Sequence, residues 1–149
     1  MFACFDQPDL KASLRLRVTA PAEWTVWANG AGTRTEPGRW EFAETPPIST
    51  YHFTVVAGPY HARYREHDGI PLGLICRRSL AAHLDRDADE LFDITGACLD
   101  RYHELFGIRY PFGKYDQAFV PQFNAGGDGE SGLCDLPRPS MCRTPRRRY

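Results

Sequence analysis

The chain has 149 residues, 42% of them hydrophobic, and a formal net charge of -1. That balance excludes an intrinsically disordered or generally basic chain, so neither nucleic acid nor an acidic membrane surface is an expected partner. No apolar run approaches the ~18 residues that a membrane span needs. The N-terminus shows no basic region followed by an apolar one, so no signal peptide and a cytoplasmic setting are expected.

Residues 12–70 read as β. Leu14, Leu16 and Val18 alternate with Ser13, Arg15 and Arg17, the period of a strand with one buried face. Residues 24–28 form a second strand, closed by the Asn29-Gly30 turn signal. Residues 40–42 are short and end before Pro46-Pro47. Residues 50–57 are rich in aromatic and β-branched side chains and stop at Gly58-Pro59. Residues 60–64 alternate again, and 70–78 are an apolar run of strand length.

The period then changes. Leu91, Ile94, Cys98, Leu99, Tyr102, Leu105 and Phe106 follow the i, i+3, i+4 spacing of an amphipathic helix. Asp87 or Asp89 suits its first turn and Gly107 its end. Gly96 inside it costs about 1 kcal/mol relative to alanine. Tyr110-Pro111-Phe112-Gly113 is a turn, and 116–120 is one more strand. The fold class is therefore mainly β with an α+β part. Residues 1–69 make an all-β piece of the sandwich type, and 70–126 a β-helix-β piece. From Gly127 both periods vanish and Arg138, Arg143, Arg146, Arg147 and Arg148 stand among prolines, so 127–149 are expected to form a disordered basic tail.

Chemistry-bearing residues are sparse. Cys4, Cys76, Cys98, Cys134 and Cys142 are odd in number without a C-x-x-C pair, which argues for free thiols in a reducing compartment. His61 and His67 flank a polar stretch, but two histidines fall short of the three or four ligands zinc takes. Asp6, Asp9 and Asp116 could act as acid–base carboxylates, although a lone Asp more often caps a turn or forms a salt bridge. Ser131 lacks the full G-x-S-x-G elbow. The arginine-rich tail has no interleaved aromatics and so reads poorly as a nucleic-acid surface.

Three runs carry a resemblance. They are Phe2-Ala-Cys-Phe-Asp-Gln-Pro-Asp-Leu-Lys-Ala12, Ile70-Pro-Leu-Gly-Leu-Ile-Cys-Arg-Arg78, and Tyr110-Pro-Phe-Gly-Lys-Tyr-Asp-Gln-Ala-Phe-Val-Pro-Gln-Phe-Asn-Ala-Gly126. Over residues 2–126 the chain resembles the zinc-dependent aminopeptidases of the aminopeptidase N family, the actinobacterial type in particular. The resemblance implies the later part of a saddle-like β domain over 1–69 and the start of a thermolysin-like catalytic domain over 70–126. It implies peptides as substrates and a zinc-activated water as nucleophile. In the family the third run continues into G-A-M-E-N, which holds the substrate's amino terminus. Here Gly126 is followed by Gly127-Asp-Gly-Glu130, and the zinc motif H-E-x-x-H is absent. The resemblance therefore implies a truncated, inactive piece with no catalytic residue and no metal ligand. Asn124, Ala125 and Gly126 are left beside the substrate, with backbone contacts that a small Gly permits. A non-catalytic β-sandwich binding module with a basic tail is the alternative.

Two expectations concern the reading frame. Met1 is expected to be an internal start. A one-base slip near codon 126 is expected as well, because codons compatible with residues 127–138 give A-M-E-N-P-G-C-V-T-F-R-D when read one base on.

Overall fold

The computed structural model describes residues 3–120 together with the backbone of two later strands, Asp128–Glu130 and Leu133–Pro137. In chain order the elements are β1 (Lys11–Ala12), β2 (Arg17–Thr19), β3 (Thr25–Ala28), β4 (Gly32–Glu36), β5 (Arg39–Phe42), β6 (Ile48–Ser49), β7 (Val55–Gly58), β8 (Tyr60–His67), β9 (Ile70–Arg77), α1 (Ala81–Phe106), β10 (Tyr115–Val120), β11 (Asp128–Glu130) and β12 (Leu133–Pro137). The described residues are thus mostly β with one α-helix. Most of the expected strands are found, but of the strand expected over 50–57 only the part in β7 is β, because Thr50–His52 form a 3-10 turn. β4 was not expected, because every one of its residues is exposed and it carries no apolar alternation.

Three apolar clusters stack these elements. Leu72, Leu74 and Cys76 on β9 and Phe119 on β10 meet Leu84, Ala88, Phe92 and Leu99 of α1. Ile75 and Ala118 point the other way, onto Trp27 of β3 and Val56 of β7. Val26, Ala28 and Phe42 then join β3 to the β2–β5–β4 sheet. The period of two in β9 explains this. Its odd and even residues are both apolar because both faces are covered. Leu74 and Leu84 are completely buried, and each such side chain is worth about 1.5–3 kcal/mol relative to exposure.

The largest sheet has the order β11-β12-β10-β9-β8. β8 and β9 are an antiparallel hairpin, whereas β9 and β10 run parallel, with Phe119 opposite Cys76. Parallel neighbours need a crossover, and α1 supplies it. The boundary expected at residue 69 falls in the Asp68-Gly69 turn of the β8–β9 hairpin. By hydrogen bonding the sheet reaches back to Tyr60.

Two further expectations need correction. The helix starts ten residues before Leu91, so Asp87 and Asp89 lie inside it and not at its first turn. Its buried stripe is Leu84, Ala88, Phe92, Gly96 and Leu99. Ile94, Cys98, Tyr102, Leu105 and Phe106 are exposed. Gly96 belongs in the helix for a packing reason. A Cβ there would come 2.8 Å from His67 Nδ1. Gly107 closes the helix as expected, in the left-handed conformation with its N–H on the His103 carbonyl. The disorder expected over 127–149 is not what is found at 128–130 and 133–137. β12 adds to the free edge of β10 in parallel, and β11 pairs antiparallel with β12. An open edge of unpaired N–H and C=O groups accepts such strands readily.

Candidate functional site

The residues expected to touch substrate, Asn124, Ala125 and Gly126, lie outside the described residues, as does Ser131. β10 leads toward them. Its last residue, Val120, lies at the carboxyl edge of the parallel strands, beside the end of β9 at Arg77. Ligands of open α/β sheets bind at this edge. Arg77 is half-buried, and its Nε is closed to solvent without a hydrogen-bond partner.

At the other end of the same face, Tyr64, Gly73 and Asp116 form a row across β8, β9 and β10. Asp116 is buried and paired with Lys114, a salt bridge of the kind a lone Asp often forms. The Tyr64 hydroxyl accepts a hydrogen bond from Trp27 Nε1 at 3.0 Å. Burial raises the Tyr64 phenol above its usual 10.0, and the Asp116 charge adds to this against the pull of the Trp27 hydrogen bond. These side chains border an open crevice of about 280 Å³ that Trp40 also lines.

One face of β8 is a ladder of charge pairs with α1. His61 and Arg63 share Asp85 at 2.9 and 3.0 Å, Arg65 takes Asp93 at 2.8 Å, and His67 takes Asp100 at 2.7 Å. His61 and His67 are therefore separate rungs and not a metal pair. Asp6 and Asp9 are exposed.

Among the described residues, the group closest to a metal site is Asp68, Asp100 and His103, with ligand atoms within 4.8 Å of one another. It does not suit zinc. Asp100 already holds His67, Asp68 holds Arg109, and His103 Nε2 accepts the Tyr110 backbone N–H at 2.9 Å. A ring nitrogen that accepts an N–H has no lone pair left for a cation. A ligating histidine instead donates from its second nitrogen to an outer acceptor. His103-Glu104 begins like H-E-x-x-H, but position 107 is Gly, at the helix end.

The fold of β domain followed by a strand–helix–strand unit has a counterpart by sequence. Residues 1–52 match the Peptidase M1 N-terminal domain. Aminopeptidase N of Streptomyces lividans is 47% identical over 140 residues, covering 91% of this chain and 16% of that protein. Aminopeptidase N of Acetobacter pasteurianus is 30% identical over 139 residues, covering 89% of this chain and 38% of that protein. Aminopeptidase N of Homo sapiens is 28% identical over 153 residues. The chain belongs to the M1 aminopeptidase N family, and it spans between 16% and 38% of the length of the first two relatives. A likeness over 91% of the chain cannot fit within residues 2–126, so it runs on into the region of β11 and β12.

Proposed function

We propose that this chain is a piece of a zinc-dependent aminopeptidase that releases N-terminal residues from peptides. Residues 1–69 are the later part of its N-terminal β domain, and 70–126 begin its catalytic domain. The observation that carries this is the β9–α1–β10 crossover unit with its parallel strand pair, after which Asn124, Ala125 and Gly126 follow in sequence. The identity with aminopeptidase N of Streptomyces lividans supports it.

In the intact enzyme zinc supplies the activated water. The described residues of this chain offer no set that fits zinc, and the sequence has no H-E-x-x-H. The chain's own part is therefore to position a peptide through backbone groups at 124–126. A reducing, cytoplasmic setting belongs to the same reading and is supported by the free thiols of Cys4, Cys76 and Cys98. Among the described residues no helix is long and apolar enough to cross a membrane.

Metal analysis of the purified chain, run beside an aminoacyl-arylamide assay, tests the proposal. The expected result is no stoichiometric zinc and no chelator-sensitive hydrolysis. One tightly bound zinc per chain together with such hydrolysis would overturn it.

A further inference from the structure

We infer that the open crevice bordered by Trp27, Trp40, Tyr64 and Asp116 is a binding site for a small neutral aromatic carboxamide. It holds about 280 Å³, close to the lower end of the range for ligand pockets, about 300–1,000 Å³. Trp27 comes from β3, Trp40 and Phe42 from β5, and Tyr64, Pro71 and Asp116 from β8, β9 and β10. The crevice is thus a seam between the small sheets and the large one, where ligand sites are favoured. Gly30, Ala31, Gly113 and Lys114 also border a second crevice of about 170 Å³, which leaves room for substituents on a ring. None of these residues has a role in the aminopeptidase reading.

The rings of Trp27, Trp40, Phe42 and Tyr64 favour a flat aromatic body, which stacks on such walls or meets them edge-on. The Tyr64 oxygen accepts from Trp27 Nε1 at 3.0 Å, so its own proton is left to donate. Lys114 spends one of its ammonium protons on Asp116 Oδ2. Among the described residues no other hydrogen bond uses the Lys114 ammonium, the Tyr64 proton or Asp116 Oδ1. Water can serve these groups while the crevice is empty; their part is to select among ligands. The donors suit a carbonyl oxygen, and Asp116 Oδ1 suits an amide N–H. Charge narrows the choice further. The Lys114 and Asp116 side chains are only 13% and 6% exposed, and their charges cancel. An anion that reaches Lys114 also meets the Asp116 carboxylate, and a cation that reaches Asp116 meets the Lys114 ammonium. A neutral aromatic carboxamide meets all of these demands.

The test is NMR of the ¹⁵N-labelled full chain, titrated with benzamide, benzoate, benzamidine and cyclohexanecarboxamide. Benzamide is expected to move the Trp27 and Trp40 indole N–H resonances with a Kd on the order of 1 mM. Benzoate and benzamidine, its charged counterparts, and cyclohexanecarboxamide, which is not flat, should each bind at least about tenfold more weakly. Trp40→Leu should weaken benzamide binding about tenfold, and Tyr64→Phe about fivefold through loss of the hydroxyl donor. Trp24→Phe alters a tryptophan that does not border the crevice and should leave the series unchanged. No movement of these resonances by benzamide up to about 20 mM overturns the inference. So does equal affinity for benzamide and either charged counterpart, or unchanged benzamide affinity in Trp40→Leu. Should Trp40→Leu fail to fold, the wild-type ligand series and Tyr64→Phe decide.

Discussion

The carboxylate of Asp116 lies directly over Gly73, the residue opposite it on β9. A Cβ on Gly73 would overlap Asp116 Oδ1, reach within 3.0 Å of its Cγ and press on the Tyr64 ring at 3.3 Å. Lys114 and Asp116 are both nearly closed to solvent, so the carboxylate has little room to retreat. Gly73→Ala should therefore destabilise the chain by about 1–3 kcal/mol, as overpacking does. Gly113→Ala meets nothing within 4 Å and serves as the control. It should be neutral or slightly stabilising. Urea midpoints of the two variants against wild type make the comparison, and equal midpoints would refute the crowding.

A second prediction concerns acid. Asp85 is held below the ordinary 3.8 of an aspartate, first by the His61 hydrogen bond and then by that of Arg63. A carboxylate depressed in the folded state stabilises it at pH values above 3.8. That contribution is lost as pH falls through the lower folded value. The stability gap between wild type and Asp85→Asn should therefore be steady at neutral pH and close as pH drops below 3.8. Parallel curves across that range would show that the β8–α1 rung contributes nothing.

The thiols should separate by reactivity. Cys76 is fully buried, and burial, with a smaller push from the Asp85 charge, raises its thiol to about 11. Cys98 is exposed on α1. Thiolate is the reactive form. At pH 8, alkylation followed by peptide mapping should label Cys98 in the native chain and Cys76 only after unfolding. Labelling of both at equal rates would mean that the β9–α1 core opens readily.

Much of this fold is legible in the sequence, because strands with one wet face write a period of two. Val18 in β2 does so, and Leu14 and Leu16 ahead of it keep the same alternation, half-buried where Ser13, Arg15 and Arg17 are exposed. The helix is legible in type but not in face. Its clearest apolar stripe, Ile94, Cys98, Tyr102 and Leu105, is the one left uncovered. The stripe that packs includes Ala88 and Gly96, which carry little hydrophobic signal. The early start of α1 was hidden for the same reason, since Leu84 stands alone among charged neighbours. Pairings at long range, such as Tyr64–Gly73–Asp116, leave no local trace.

The remaining prediction concerns residues 127–138. The three resembling runs lead to Asn124-Ala125-Gly126, where the family continues into G-A-M-E-N and this chain does not. Read one base on, compatible codons restore A-M-E-N-P-G-C-V-T-F-R-D directly after Gly126. The restored glutamate would supply the carboxylate that a substrate ammonium needs for a charge-assisted hydrogen bond. Such a slip would also account for the arginine and proline excess and the lost periodicity that follow. A competing account is an in-frame replacement of the loop. The pairing of β12 with β10 and the likeness that runs past residue 126 speak for it. Resequencing the DNA separates them. The expected result is codons that give A-M-E-N in the other frame, with H-E-x-x-H further along that frame. Codons for 127–138 that yield no such run would establish the in-frame replacement, and the G-A-M-E-N glutamate would then have no counterpart in this chain.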